Sequence, residues 1–216
     1  TQAVDVAFER DTVTILGESR DTDFVIDTYG REIQEVSIEV RSADGSRLIE
    51  NTVLSGLSRT GNIIQGTVAL KDLIEKDTDY SLCFVLQMDE GEKACYYTRV
   101  IWSEGLHVSE KLEYVTDFHE RLYDKEAAKE LTKYLETNSR LEDNSSFHKV
   151  NIHSSFKQIT WGDLPVQEIT APVVSLTELA SQTASFLMDY VVSTTEGKKT
   201  VYYLVEEHYR VRYTTD

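Results

Sequence analysis

The stretch Leu73-Ile-Glu-Lys-Asp-Thr-Asp-Tyr80 constrains the fold more than any other in this chain. A leucine, a tight polar corner and a tyrosine lead straight into Ser81-Leu-Cys-Phe-Val-Leu86, an alternating apolar strand. A tyrosine at such a corner can bury its ring in a β-sandwich while its hydroxyl bonds back to the loop backbone. The expectation is a buried Tyr80 whose hydroxyl meets backbone within residues 73–78.

The surrounding sequence reads as further strands. Val4, Val6 and Phe8 alternate, as do Val13 with Ile15 and Phe24 with Ile26. Val36, Ile38 and Val40 predict a central strand, and Asp44-Gly45 a hairpin turn into Arg47-Leu-Ile-Glu50. Ile64, Val68 and Leu70 come next, and Ala94, Tyr96, Val100 and Trp102 mark the last strand before residue 104. Asp89-Glu90-Gly91 suits a three-residue hairpin loop with glycine in the left-handed position. That register sets Cys83 opposite Tyr97 and Val85 opposite Cys95. The two cysteines then sit diagonally on one face, near the limit of disulfide reach, and a slip of register would bring them opposite each other.

The run Val68-Ala-Leu-Lys-Asp-Leu73 through Tyr80-Ser-Leu-Cys-Phe84 resembles the fifth-to-sixth strand region of fibronectin type III and related immunoglobulin-like domains. The usual early tryptophan and the proline before the tyrosine corner are missing. The resemblance implies an immunoglobulin-like sandwich over residues 1–104. Such domains serve as spacers or binding modules on extracellular and cell-surface proteins.

Ser103-Glu-Gly-Leu-His107 marks a boundary, after which the pattern becomes helical. Ser109 is placed to cap a helix carrying Leu112, Val115, Phe118 and Leu122. Asp124 is placed to restart it, with Ala127, Ala128, Leu131, Tyr134 and Leu135, so a break is expected near Tyr123. Strands are expected again at Val150–Ile152, irregularly from Phe156 to Trp161, and from Val166 to Leu176, where Pro172 interrupts. A long hairpin closes the chain: Thr183 to Ser193 outward, a turn at Glu196-Gly197, and Thr200 to Thr214 back. Helices followed by an antiparallel sheet give an α+β fold for residues 106–216. Their order resembles cystatin-like and nuclear-transport-factor-like domains, in which a curved sheet wraps one long helix.

Composition narrows the function classes. The formal net charge is -16 and both halves are acidic, which argues against nucleic acid and anionic membranes as partners. No apolar run approaches the ~18 residues that span a bilayer. The chain starts at Thr1 rather than methionine, so a processed or truncated product is expected, one from which a leader or anchor has been removed, with an extracytoplasmic or cell-surface location. Two cysteines exclude a disulfide scaffold and a cysteine-only zinc site.

Chemical motifs are sparse. No His-Glu-x-x-His, Gly-rich phosphate loop or Gly-x-Ser-x-Gly elbow is present, and no cofactor is expected. His148 and His153 would face opposite sides of a strand, which is unsuited to a metal pair. His119-Glu120 reads as a solvated helix face. Glu207 falls in register with Val205 and Tyr209 on the apolar face of the last strand, with Asp189 on the neighbouring arm. It is either a base in a curved-sheet cavity or a carboxylate bonded to a tyrosine or arginine such as Tyr190 or Arg210. Tyr202, Leu204, His208, Arg210 and Arg212 occupy the other face of that strand and form the leading candidate binding surface. Trp161, in the turn Trp161-Gly-Asp-Leu164, is an interface anchor if exposed and helix packing if buried. The resulting expectation is a non-enzymatic scaffold or recognition module that engages a protein partner or neighbouring domains of a longer chain. The alternative is a small-molecule-binding or catalytic cone-shaped α+β domain carried on a sandwich spacer.

Overall fold

The computed structural model describes residues 12–71, 73–138 and 146–215, so Val4, Val6 and Phe8 lie outside the described residues. The fold is mostly β-sheet. By its contacts the chain divides into two compact units. One comprises residues 1–106 with Leu176–Leu179, and the other residues 107–175 with 180–216.

The first unit contains β1 (Val13–Leu16), β2 (Asp21–Asp27), β3 (Ile33–Ser42), β4 (Leu48–Val53), β5 (Ser58–Thr60), β6 (Ile63–Ala69), β7 (Asp79–Met88) and β8 (Lys93–Trp102). Five strands form one sheet in the order β1-β8-β7-β3-β4, and three form a second in the order β2-β6-β5. β1 runs parallel to β8; the other pairings are antiparallel. The alternating residues of both sheets bury a shared core. Ile38, Val40, Tyr80, Leu82 and Val100 of the larger sheet meet Val68 of the smaller one and Leu70 just beyond it. Each such aliphatic side chain contributes about 1.5–3 kcal/mol when removed from water. Phe24 and Phe84 touch across the two sheets, with ring centroids 4.8 Å apart. The strand partner of Phe24 is Gly66, where a Cβ would come within 2.7 Å of Leu57 Cδ2 and 3.5 Å of the Phe24 ring.

The corner before β7 is built around its tyrosine. Tyr80 is buried, and its hydroxyl accepts the Glu75 backbone N–H at 3.0 Å. The aliphatic anchor is Ile74, which lies in the core, whereas Leu73 is exposed. The corner therefore turns its second apolar residue inward, not its first. Glu50 on β4 is also buried. Its carboxylate accepts the Lys71 backbone N–H at 2.8 Å and the Thr52 hydroxyl at 2.7 Å, tying β4 to the end of β6. Trp102 ends β8 with the Arg20 guanidinium 5.1 Å and the Lys76 ammonium 5.0 Å from its ring centre.

The β7–β8 ladder has Cys83 opposite Tyr97 and Val85 opposite Cys95, with Gly91 at φ +81° in the connecting loop. Both cysteines are free. Burial, reinforced by the neighbouring Cys95, pushes the Cys83 thiol up to about 12. On β8, Ala94 and Val100 are buried and Tyr96 is exposed.

The second unit opens with α1 (Val108–Arg121), followed by a 3-10 helix (Ala127–Tyr134) and α2 (Phe156–Ile159). A further sheet comprises β9 (Gln167–Glu168), β10 (Val173–Leu179), whose residues Leu176–Leu179 are counted with the first unit, β11 (Thr183–Glu196) and β12 (Lys199–Arg212), in the order β10-β11-β12 with β9 also on β11. Three expectations need correction. His107, not Ser109, precedes the first helical turn; it adopts a left-handed conformation and stacks on Tyr213 at 3.8 Å. Val150–Ile152 is not a strand, and Phe156 starts a short helix, not an irregular strand. Ser155 supplies the reason: its hydroxyl accepts the Gln158 N–H, which caps a helical turn. Pro172 separates β9 from β10, and Asp124 accepts the Glu126 and Ala127 N–H groups at the start of the 3-10 helix. Among the described residues, no helix is long and apolar enough to cross a membrane.

The corner hydrogen bond gives a direct test. Tyr80→Phe retains the ring and loses the acceptor for the Glu75 N–H. Urea denaturation of the whole chain is expected to show a loss of about 1 kcal/mol, the net value of one hydrogen bond. An unchanged stability would remove the hydroxyl from the account of this corner.

Candidate functional site

Three elements of the second unit converge on one buried polar cluster. On α1, Lys111, Val115 and His119 recur every four residues and are all buried. Lys111 meets the turn after β10, where its ammonium donates to the Ala180 carbonyl at 3.2 Å and the Ser181 carbonyl at 3.3 Å. One helical turn beyond Val115, His119 reaches the strands. The β11–β12 ladder runs from Thr183↔Arg212 to Glu196↔Lys199 without a register shift, so side-chain direction alternates strictly. Ala184, Phe186, Met188, Tyr190 and Val192 form the buried face of β11. Their partners on β12 are Val211, Tyr209, Glu207, Val205 and Tyr203.

This alternation drives a carboxylate into an apolar face, and the surroundings supply its donors. Glu207 Oε1 accepts the Tyr190 hydroxyl at 2.6 Å. Glu207 Oε2 accepts the Tyr209 hydroxyl at 2.8 Å and faces His119 Nδ1 at 2.8 Å. The other imidazole nitrogen, Nε2, lies 3.0 Å from Glu168 Oε2 on β9. The His119 ring is further held edge-on by Tyr190, at 4.9 Å, and by Tyr123, at 5.5 Å.

A carboxylate at each nitrogen favours the doubly protonated ring, because a neutral ring would aim a lone pair at a negative oxygen. Burial works against that charge, but the hydrogen bonds and charges of Glu207 and Glu168 outweigh it, and the His119 pKa is raised. The tyrosines stay neutral donors. Burial first, and then the Glu207 charge, raises the pKa of both Tyr190 and Tyr209; burial also raises that of Tyr123.

This geometry limits the chemistry available. Three of the roughly four acceptor positions of the Glu207 carboxylate are filled from within the unit. Its side chain is 14% exposed, so it is not a free base facing an open pocket. Asp189 pairs across the ladder with Glu206 and therefore points to the opposite face. The two His119 nitrogens face separate carboxylates, not a common centre. Among the described residues, no group of histidine, cysteine and acidic side chains is arranged to hold a metal ion. His153 Nδ1 instead contacts the Glu136 carbonyl at 3.1 Å.

His119 itself corrects the sequence reading, which set it on a solvated face. It is buried because it lies four residues from Val115, as fully on the inward stripe as Phe118. Phe118 packs edge-on against Tyr209 at 5.7 Å. Leu131 and Leu135 cluster with Leu122, Ala128 and Ile159.

The residues singled out as a binding surface fall into two groups. Tyr202, Leu204, His208, Arg210 and Arg212 share the exposed face of β12. Tyr202 is 62% and Leu204 76% exposed. His208 bonds Glu206 at 2.8 Å, and Arg212 donates to Gln182 at 2.9 Å. Trp161 is not part of that face. It is half-buried in a left-handed conformation, φ +63°, with its ring near Tyr123 at 5.9 Å and Phe147 at 6.3 Å. Its indole N–H and the Tyr123 hydroxyl are both buried without a hydrogen-bond partner among the described residues.

Two outcomes are expected. Glu207→Leu strands two tyrosine hydroxyls and an imidazolium, and should cost about 3–5 kcal/mol by analogy with other broken buried ion pairs. His119 gains its carboxylates on folding, so its contribution is fully present below the unfolded value of about 6.5 and is lost as pH rises through the higher folded value. Urea midpoints of the whole chain should therefore fall as pH climbs above about 6.5, a step that His119→Phe removes. An equal step in His119→Phe would assign it to another group.

No family model matches the chain, and comparison with curated proteins finds no similar sequence.

Proposed function

We propose that this chain is a non-enzymatic recognition or scaffold module acting outside the cytoplasm, and that the exposed face of β12 is its binding surface. The carrying observation is the exposure of Tyr202 and Leu204 on a strand that, among the described residues, is paired on one side only, with His208, Arg210 and Arg212 along the same face. An apolar centre beside the guanidinium groups of Arg210 and Arg212 suits a protein partner that offers apolar and acidic groups.

The first unit fits the immunoglobulin-like reading. A β8-β7-β3 sheet extended by β4, opposed by β2-β6-β5, has the strand order of a Greek-key sandwich, and Tyr80 occupies the corner position. Cell-surface placement follows from that resemblance. The helix-then-sheet order of the second unit supports the cystatin-like comparison. The catalytic alternative finds less support, because Glu207 is engaged by Tyr190, Tyr209 and His119.

The test is affinity recovery from a cell-surface extract with the whole chain as bait. Tyr202→Ser with Leu204→Ser should lower recovery of a specific partner at least about tenfold, as expected for two central contact residues. Thermal unfolding should be unchanged. Equal recovery by both baits would take the recognition surface away from β12.

A further inference from the structure

We infer that His119 makes the β9 segment a proton-controlled latch: the protonated ring clamps Glu168 to α1, and loss of one proton releases β9 from the edge of β11. An imidazolium carries two N–H donors and a neutral imidazole one. His119 meets two carboxylates from two different strands, so losing a proton breaks one bridge outright.

The geometry decides which bridge breaks. The groups facing the ring are Tyr123 from α1, Glu168 from β9, Tyr190 from β11, and Glu207 with Tyr209 from β12. The Glu207 side chain is 14% exposed and that of Glu168 is 33% exposed. A carboxylate cut off from water needs its donor more than one that can turn outward. The remaining N–H therefore stays on Nδ1, 2.8 Å from Glu207, and Nε2 turns a lone pair toward Glu168. Lone pair and carboxylate repel, and Glu168 swings to solvent.

Among the described residues, β9 has little else to hold it. It is a strand of two residues, paired through Glu168 with Val192 and through Gln167 with Ser193. Just beyond, the Ile169 N–H donates to the Val191 carbonyl at 2.8 Å, and the Val191 N–H donates to the Thr170 hydroxyl at 2.9 Å. Those two amides lie on opposite sides of the seam that opens. The strand is bounded by Pro172 on one side and by the Trp161–Leu164 turn on the other, so it can lift without drawing on the β11–β12 ladder.

Amide hydrogen exchange on the whole chain tests this at Ile169 and Val191. After correction for the intrinsic pH dependence of exchange, their protection should drop about tenfold between about pH 6 and pH 9, the equivalent of one lost hydrogen bond. Amides in the middle of the β11–β12 ladder, such as Phe186 and Tyr209, should hold theirs. Glu168→Gln is the discriminating variant. Its amide accepts from the imidazolium and donates to the neutral ring, so protection at Ile169 and Val191 should stay level across the same range. The His119 ring should show two protonated nitrogens at the lower pH by nitrogen NMR. Level protection in the unaltered chain, an equal drop in Glu168→Gln, or a drop shared by Phe186 and Tyr209 would each overturn the latch.

Discussion

Burial of the Glu207 carboxylate is the constraint on which the second unit depends. An ionised group on an apolar sheet face is tolerated only when donors surround it. Strict alternation along β11 and β12 delivers two of them, Tyr190 and Tyr209, on the same face as Glu207 itself. The third must come from the covering layer, and it fixes the rotation of α1: only with Lys111, Val115 and His119 inward does an imidazole reach Nδ1 to Glu207. The same rotation brings Lys111 to the carbonyls of the turn after β10. Two carboxylates against one imidazolium leave surplus negative charge. The partial exposure of Glu168 lets water carry part of it.

The first unit solves a similar problem with neutral donors. Glu50 is also a buried carboxylate, but its partners are a backbone N–H and a hydroxyl, with the exposed Lys71 ammonium 3.6 Å away. A backbone amide has one fixed donor, so the tie between β4 and Lys71, just beyond β6, is made without an imidazole. Tyr80 follows the same economy, with a side-chain hydroxyl accepting a loop amide.

Period-two patterns made much of this readable in advance. The β7–β8 register, the Asp89–Gly91 loop and the long closing hairpin all follow from alternation together with turn residues whose backbone demands are specific. The inward placement of Glu207 came from the same rule. His119 did not, because a helical stripe is about a hundred degrees wide and apolar residues at 115, 118 and 122 already seemed to fill it. The signal lay in combining two elements: a carboxylate forced inward on the sheet requires a donor on the helix above, and His119 is the side chain of that helix placed to supply it. Glu168 was out of reach, since a two-residue strand leaves no periodic trace. Phe156–Ile159 failed differently. Its apolar ends looked like a strand, while Ser155 ahead of it carried the helix-initiating information.

The two tryptophans of this chain are divided between the units, Trp102 in the first and Trp161 in the second. Their surroundings differ sharply. Trp102 lies against two cations, and Trp161 against the rings of Tyr123 and Phe147. A positive charge near an indole displaces its emission, and stacked phenol and phenyl rings alter it in another way. The protein therefore carries an intrinsic optical reporter in each half. Replacing Trp102 by phenylalanine leaves a single indole that watches the histidine-centred half, and replacing Trp161 does the same for the all-β half.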